Sequence, residues 1–169
     1  MIRAAAELHL VRRMSTSSMA TFSIAVATAS DCHECARLLV NRLAEHDIDA
    51  STERLAHLLE EATTDKSRGF LMLARDNGRV VGIAYVATIL SAEHCGPVAW
   101  LEELYVTPDC RHRGIGTALV TAVLERVQKA GIVAVDLEID AGHNRVISLY
   151  QRLGFRRLER SRWVREFTQ

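Results

Sequence analysis

A chain of 169 residues, 49% hydrophobic and 25% charged, has the size and composition of one globular domain able to bury most of its apolar surface. Its 21 basic residues balance 21 acidic ones, so no net field draws it to nucleic acid or an anionic membrane, and no apolar run is long enough to span a bilayer. Four cysteines are too few for a disulfide scaffold, and this usage suits a reducing cytoplasm.

Residues 1–20, rich in Arg, Ala and Ser, read as a disordered extension ahead of a domain over 21–169; Glu7 and the shortness of the segment argue against a transit peptide. Residues 22–26 form a first strand, and Ser30, Asp31 and Glu34 open a helix reaching about residue 46, the acids complementing its positive end. Cys32 and Cys35 have metal-motif spacing. They fall on one helical stripe with Ala36, Leu39 and Leu43, however, and no second such pair completes a zinc site, so a packed face is expected. After a break at 47–50, a second helix buries Leu55, Leu58, Leu59 and Ala62. Residues 69–75 and 79–90 are β-rich and joined by Asp76-Asn77-Gly78, a hairpin signal, and a loop over 91–97 follows.

The most informative stretch spans residues 100–124. It reads as a strand, a turn at Pro108, a loop Arg111-His112-Arg113-Gly114-Ile115-Gly116, and a helix with Leu119, Val120, Val123, Leu124 and Val127 at helical spacing. Such a loop suits phosphate, because the helix start offers unpaired N–H groups and a positive dipole while glycines admit an anion close to the main chain. Arg111 and Arg113 add charge there, and no Lys-Ser/Thr pair follows the glycines to hold magnesium, so a phosphate-bearing ligand without metal is the better reading. Two glycines before a helix also occur in ordinary strand-to-helix connections. Beyond them, Gly131 stops the helix and residues 132–139 form a strand with Val133, Val135, Leu137 and Ile139 on one face. A short helix over 144–153 ends at Gly154, and one or two last strands are expected after Phe155, through Arg157-Leu158 and Trp163-Val164.

Arg111-x-x-Gly114-x-Gly116, with Leu104-Tyr105-Val106-x-Pro108 before it and Leu149-Tyr150-x-x-x-Gly154-Phe155 after it, resembles the pyrophosphate signature and flanking patterns of the GNAT superfamily of N-acetyltransferases. The close match covers roughly residues 98–157. The resemblance implies an α/β fold with a mixed, largely antiparallel sheet of six or seven strands flanked by about four helices, acetyl-CoA as co-substrate, no metal, and homodimer formation. By the same resemblance, the amides of His112, Arg113, Gly114, Ile115, Gly116 and Thr117, with Arg111 beside them, take the pyrophosphate. The main chain of Leu104, Tyr105 and Val106, on a strand that splays at a bulge, takes the pantetheine arm and polarises the acetyl carbonyl. Tyr150 matches the acid that protonates the leaving thiolate, against the alternative of a half-buried aromatic on a short helix. Where the family has an asparagine this chain has His143, with Asn144 next to it, so only a main-chain contact to CoA carries over.

The acid pair Glu102-Glu103 resembles the corresponding strand of polyamine and other small-amine acetyltransferases. An acid there attracts a cationic amine and accepts its proton through water. Neighbouring strand residues point to opposite faces, so only one enters the acceptor cleft unless a bulge turns them, and either acid also suits a surface ion pair. His94 and His112 read as solvated loop residues, and Cys110 has no His/Asp partner pattern to make it a nucleophile. The resulting expectation is direct acetyl transfer to a primary amine, a small molecule by preference. A protein lysine or N-terminal acetyltransferase and a non-catalytic acyl-CoA sensor remain as alternatives.

Overall fold

The computed structural model describes residues 22–139 and 144–167, in two compact units that meet in sequence between Glu138 and Ile139. The expected N-terminal extension, Thr21 and His143 lie outside the described residues. In the first unit the elements run β1 (Phe22–Val26), α1 (Cys32–Ala44), α2 (Thr52–Thr64), β2 (Gly69–Asp76), β3 (Arg79–Ser91), β4 (Gly96–Val106), α3 (Ile115–Lys129) and β5 (Ala134–Leu137). They build one mixed sheet in the order β1-β2-β3-β4-β5. The first three pairings are antiparallel and β4–β5 is parallel.

Local chemistry sets the element ends. The β2–β3 connection is a two-residue turn with Asn77 at φ 50° and Gly78 at φ 80°, the doubly positive geometry that matches strand twist. Asp31 accepts from the Thr28 amide at 2.8 Å ahead of α1. Glu34, in the first turn of α1, accepts from the Val80 amide at 2.8 Å and from Arg75 at 3.1 Å, fastening the helix start to that hairpin. Ser51 caps α2 by accepting from the Arg54 amide at 3.3 Å.

The core has two sides. Cys35, Leu39 and Leu59 of α1 and α2 pack with Leu71, Leu73, Ile83 and Tyr105 of the sheet. On α3 the buried stripe is Ile115, Leu119, Val120, Val123 and Val127, and a Cβ at Gly82 would meet Ile115 and Leu119 at 3.2 Å. Covered on both faces, β2 reads as an unbroken apolar run rather than an alternating one. Each fully buried Leu or Ile contributes roughly 1.5–3 kcal/mol. Cys32 and Cys35 belong to this packing, and burial pushes the Cys35 thiol up to about 12.

The second unit holds α4 (Asn144–Arg152). The one or two strands expected after Phe155 are not formed: residues 155–167 carry no regular secondary structure, so the described residues contain five strands, not six or seven, with four α-helices. The reason lies in the pattern, because Trp163 and Val164 are adjacent and so cannot share one buried face, and arginines fill the spaces between the apolar residues. Trp163 is 91% exposed and Val164 80%, and a strand with no ladder partner leaves its amides unpaired. The last sheet strand is also shorter than the expected 132–139, since Val133 stands 56% exposed outside it.

Gly69 opens β2 opposite Ala87, and a Cβ there would stand 2.1 Å from the Val86 carbonyl oxygen. Gly69→Ala is expected to cost about 1–3 kcal/mol, read as a lower urea midpoint. A wild-type midpoint would mean that the β2–β3 backbone yields freely at this point.

Candidate functional site

Two features of the first unit converge on the end of β4. The ladder with β5 covers only Val98–Ala134 to Leu101–Leu137, so from Glu102 to Val106 no described strand pairs with β4 on that side. At the same place the ladder with β3 slips: Tyr85 opposes Glu103 and Val86 opposes Leu101, leaving Glu102 as the extra residue of a bulge. Past the bulge the β4 main chain offers polar groups on its free edge. One is already used, since the Val106 carbonyl accepts from Arg111 Nε at 3.0 Å.

The bulge separates the fates of the two acids. Glu103 lies 3.4 Å from Arg42 of α1, both side chains largely buried. Glu102 is exposed and forms no hydrogen bond or ion pair among the described residues.

β4 leads into a short turn at Pro108–Cys110 and then the glycine loop. His112 (φ 63°) and Gly114 (φ 81°) are both left-handed, and Gly114 is the N-cap of α3 with no side chain satisfying the helix start. Buried Ile115 anchors the first turn while the first-turn amides of Ile115, Gly116 and Thr117 have no acceptor within the helix. Gly114 is required by its φ. Gly116 is not: its backbone is helical and a Cβ would meet nothing nearer than Val106 Cγ2 at 3.9 Å. A glycine that the fold does not need, beside open amides, fits an anion approaching the main chain.

Arg111 and Arg113 do not stand free. Arg111 donates to Glu45 at the end of α1 (2.8 and 3.1 Å) and lies over the Tyr105 ring, 5.6 Å from its centroid. Tyr105, buried in the core, donates its hydroxyl to the same Glu45 at 3.3 Å, and burial with the neighbouring carboxylate pushes its phenol up. Arg113 pairs with Asp76 of the β2–β3 turn at 2.8 Å, a hydrogen bond that raises its already high pKa. Both arginines thus fasten the loop to neighbouring elements. Neither pairing carries a sequence signal, since each acid meets its arginine only through the fold; Glu45 is 66 residues from Arg111.

In the second unit Tyr150 lies in the last turn of α4. The Phe155 amide donates to the Tyr150 carbonyl at 3.0 Å, Gly154 turns the chain at φ 87°, and the two rings meet edge to face at 5.4 Å. The Leu-Tyr-x-x-x-Gly-Phe pattern is therefore a helix ending that clamps the Tyr150 ring. Asn144 begins α4. No group of three or more His, Cys, Asp or Glu suited to a metal is found among the described residues, and no helix there is long and apolar enough to cross a membrane.

This mixed sheet with its strand–loop–helix unit is an acyltransferase-like architecture, and the GNAT acetyltransferase family model matches residues 37–155. The chain belongs to that family. It is 34% identical over 134 residues to a mycothiol acetyltransferase of Renibacterium salmoninarum, covering 75% of this chain and 38% of that protein. Over 93 residues it is 29% identical to a D-amino-acid N-acetyltransferase of Saccharomyces cerevisiae, covering 55% of this chain and 58% of the relative. The chain thus spans less than two thirds of the length of these curated relatives. An aminoglycoside N-acetyltransferase solved in complex with CoA shares the fold at TM-score 0.74 and 20% identity, over 86% of this chain and 95% of that one.

Because the fold has room for a Cβ at Gly116, Gly116→Ala is expected to stabilise the protein by about 0.4–1 kcal/mol through a less flexible unfolded chain. Thermal unfolding checks this, and a lower midpoint would show that the glycine serves the fold.

Proposed function

We propose that the chain is an acetyl-CoA-dependent N-acetyltransferase that passes the acetyl group directly to a primary amine, with a small molecule as acceptor. The observation that carries this reading is the end of β4, where a strand edge without a ladder partner runs from the partnerless carboxylate of Glu102 toward the loop that opens α3. Family membership and relatives named as acetyltransferases support the same class. Four free cysteines suit action in a reducing cytoplasm.

The helix-start amides of Ile115, Gly116 and Thr117 would hold the pyrophosphate, with Arg111 and Arg113 keeping the loop in shape. The free edge of β4 at Leu104 to Val106 would receive the pantetheine arm, and His143 and Asn144 would add a main-chain contact. When bound, acetyl-CoA supplies a thioester whose carbonyl carbon is open to attack by the amine; a C–N bond forms and the C–S bond breaks. Glu102, being unpaired, takes the proton lost by the amine, directly or through water. Glu103, held by Arg42, orients rather than accepts. Tyr150 is assigned the acid that protonates the thiolate, from its place in the family pattern.

Glu102→Gln should lower kcat/KM by about a hundredfold or more, and Glu103→Gln by less than about tenfold. Steady-state assays across an amine panel check this, and the reverse order would exchange the two roles. Tyr150→Phe should lower kcat by about a hundredfold while leaving acetyl-CoA affinity, read by calorimetry, within about twofold. A folded variant with wild-type turnover would remove Tyr150 from the chemistry.

A further inference from the structure

At the bulge of β4, Glu103 stands opposite Tyr85 of β3, and Glu102 is the extra residue that follows Leu101 without a partner. Its ring is partly buried and packs against the core built from α1, α2 and the sheet. Its hydroxyl has no hydrogen-bond partner among the described residues, whereas the similarly held Tyr105 donates to Glu45. Burial raises the Tyr85 phenol, and the carboxylates of Glu102 on β4 and Glu61 on α2 raise it further, so it is a neutral hydroxyl at physiological pH. Those carboxylates act on it through their charge from two separate elements, and the core that Tyr85 packs against includes Ala56 and Leu59 of the same helix as Glu61. Glu102 is unpaired; Glu61 pairs only with exposed His57 (3.5 Å) and Arg68 (3.0 Å), contacts worth little in water and readily exchanged.

Resting on the reading of the chain as an amine acetyltransferase, we propose that Tyr85 is a specificity-determining residue of the acceptor side. It receives an aliphatic ammonium between Glu102 and Glu61, and so selects amines that carry a second cationic centre over those that carry a carboxylate. The chemistry follows from three groups of different kind. An aromatic ring attracts a cation, a neutral phenol oxygen accepts from N–H, and carboxylates on either side reward a positive group at both ends of a short chain. A carboxylate on the acceptor would meet the same two acids and be repelled, which is discrimination through the disfavoured partner. By this argument amino-acid acceptors are poor substrates.

The test uses the full chain, acetyl-CoA and three acceptors of similar length that differ at the far end: putrescine, butylamine and γ-aminobutyrate. Putrescine is expected to exceed butylamine by about tenfold or more in kcat/KM, with γ-aminobutyrate lowest, a tenfold ratio being about 1.4 kcal/mol of differential binding. Tyr85→Leu should raise the KM for putrescine about tenfold with kcat little changed, and Glu61→Gln should bring the putrescine-to-butylamine ratio toward one. Should Tyr85→Leu not fold, Tyr85→Phe keeps the ring and should raise the putrescine KM by a smaller factor through loss of the hydroxyl alone. Turnover of all three amines at similar efficiency, or variants that keep the wild-type ratio, would overturn the inference while leaving the acetyltransferase reading intact. Absence of turnover with any amine would remove both.

Discussion

β4 is hydrogen-bonded on both sides as far as Leu101 and on one side only from Glu102 onward, and the candidate site depends on that change. Main-chain N–H and C=O groups rarely stay unpaired, because each lost bond costs free energy comparable to the bond itself. A free edge inside a sheet, rather than at its border, is therefore either an opening for solvent or a place for another extended chain. Here the edge begins at a bulge, which strengthens the local twist and turns the strand away from a straight ladder. β5 is short, four residues from Ala134 to Leu137, and it stops where β4 turns.

The loop that follows reaches its shape by balanced charge. Two arginines would make a strongly positive mouth if they stood alone, yet Arg111 shares its charge with Glu45 and Arg113 with Asp76. An anion at this loop would then meet mostly the backbone, through the amides at the start of α3 and the dipole behind them. The ion pairs tie the loop to α1 and to the β2–β3 turn, and His112 adds a left-handed residue of the sort that only a well-braced loop retains. Such bracing holds the amides in place, so an anion bound there would leave less ordering to be done.

Much of the fold was legible because it was local. The Asn77-Gly78 turn, the Gly131 and Gly154 stops and the 3.6-residue stripe of α3 each act within a few residues and each is found in place. The shortfall in strands has the opposite cause: whether residues 155–167 pair depends on a partner elsewhere in the chain, and propensity at Trp163-Val164 carries no information about one. The glycine loop and the Leu-Tyr-x-x-x-Gly-Phe ending were legible as patterns. The partners of the candidate site's side chains, Glu45, Asp76 and Arg42, were not, since surface acids and a helix arginine look alike wherever they fall.

The acid pair shows how a register detail assigns chemistry. In a regular strand Glu102 and Glu103 would face opposite sides, and composition alone would offer no reason to prefer either. One inserted position alters this, because Glu103 keeps the cross-strand place opposite Tyr85 and falls to Arg42, while Glu102 is left outside the ladder with neither a strand partner nor a counter-ion. A carboxylate already holding a guanidinium is a poor acceptor for a further proton, since the positive neighbour stabilises its charged form. The bulge therefore divides two identical side chains into one that fixes structure and one that is available for reaction.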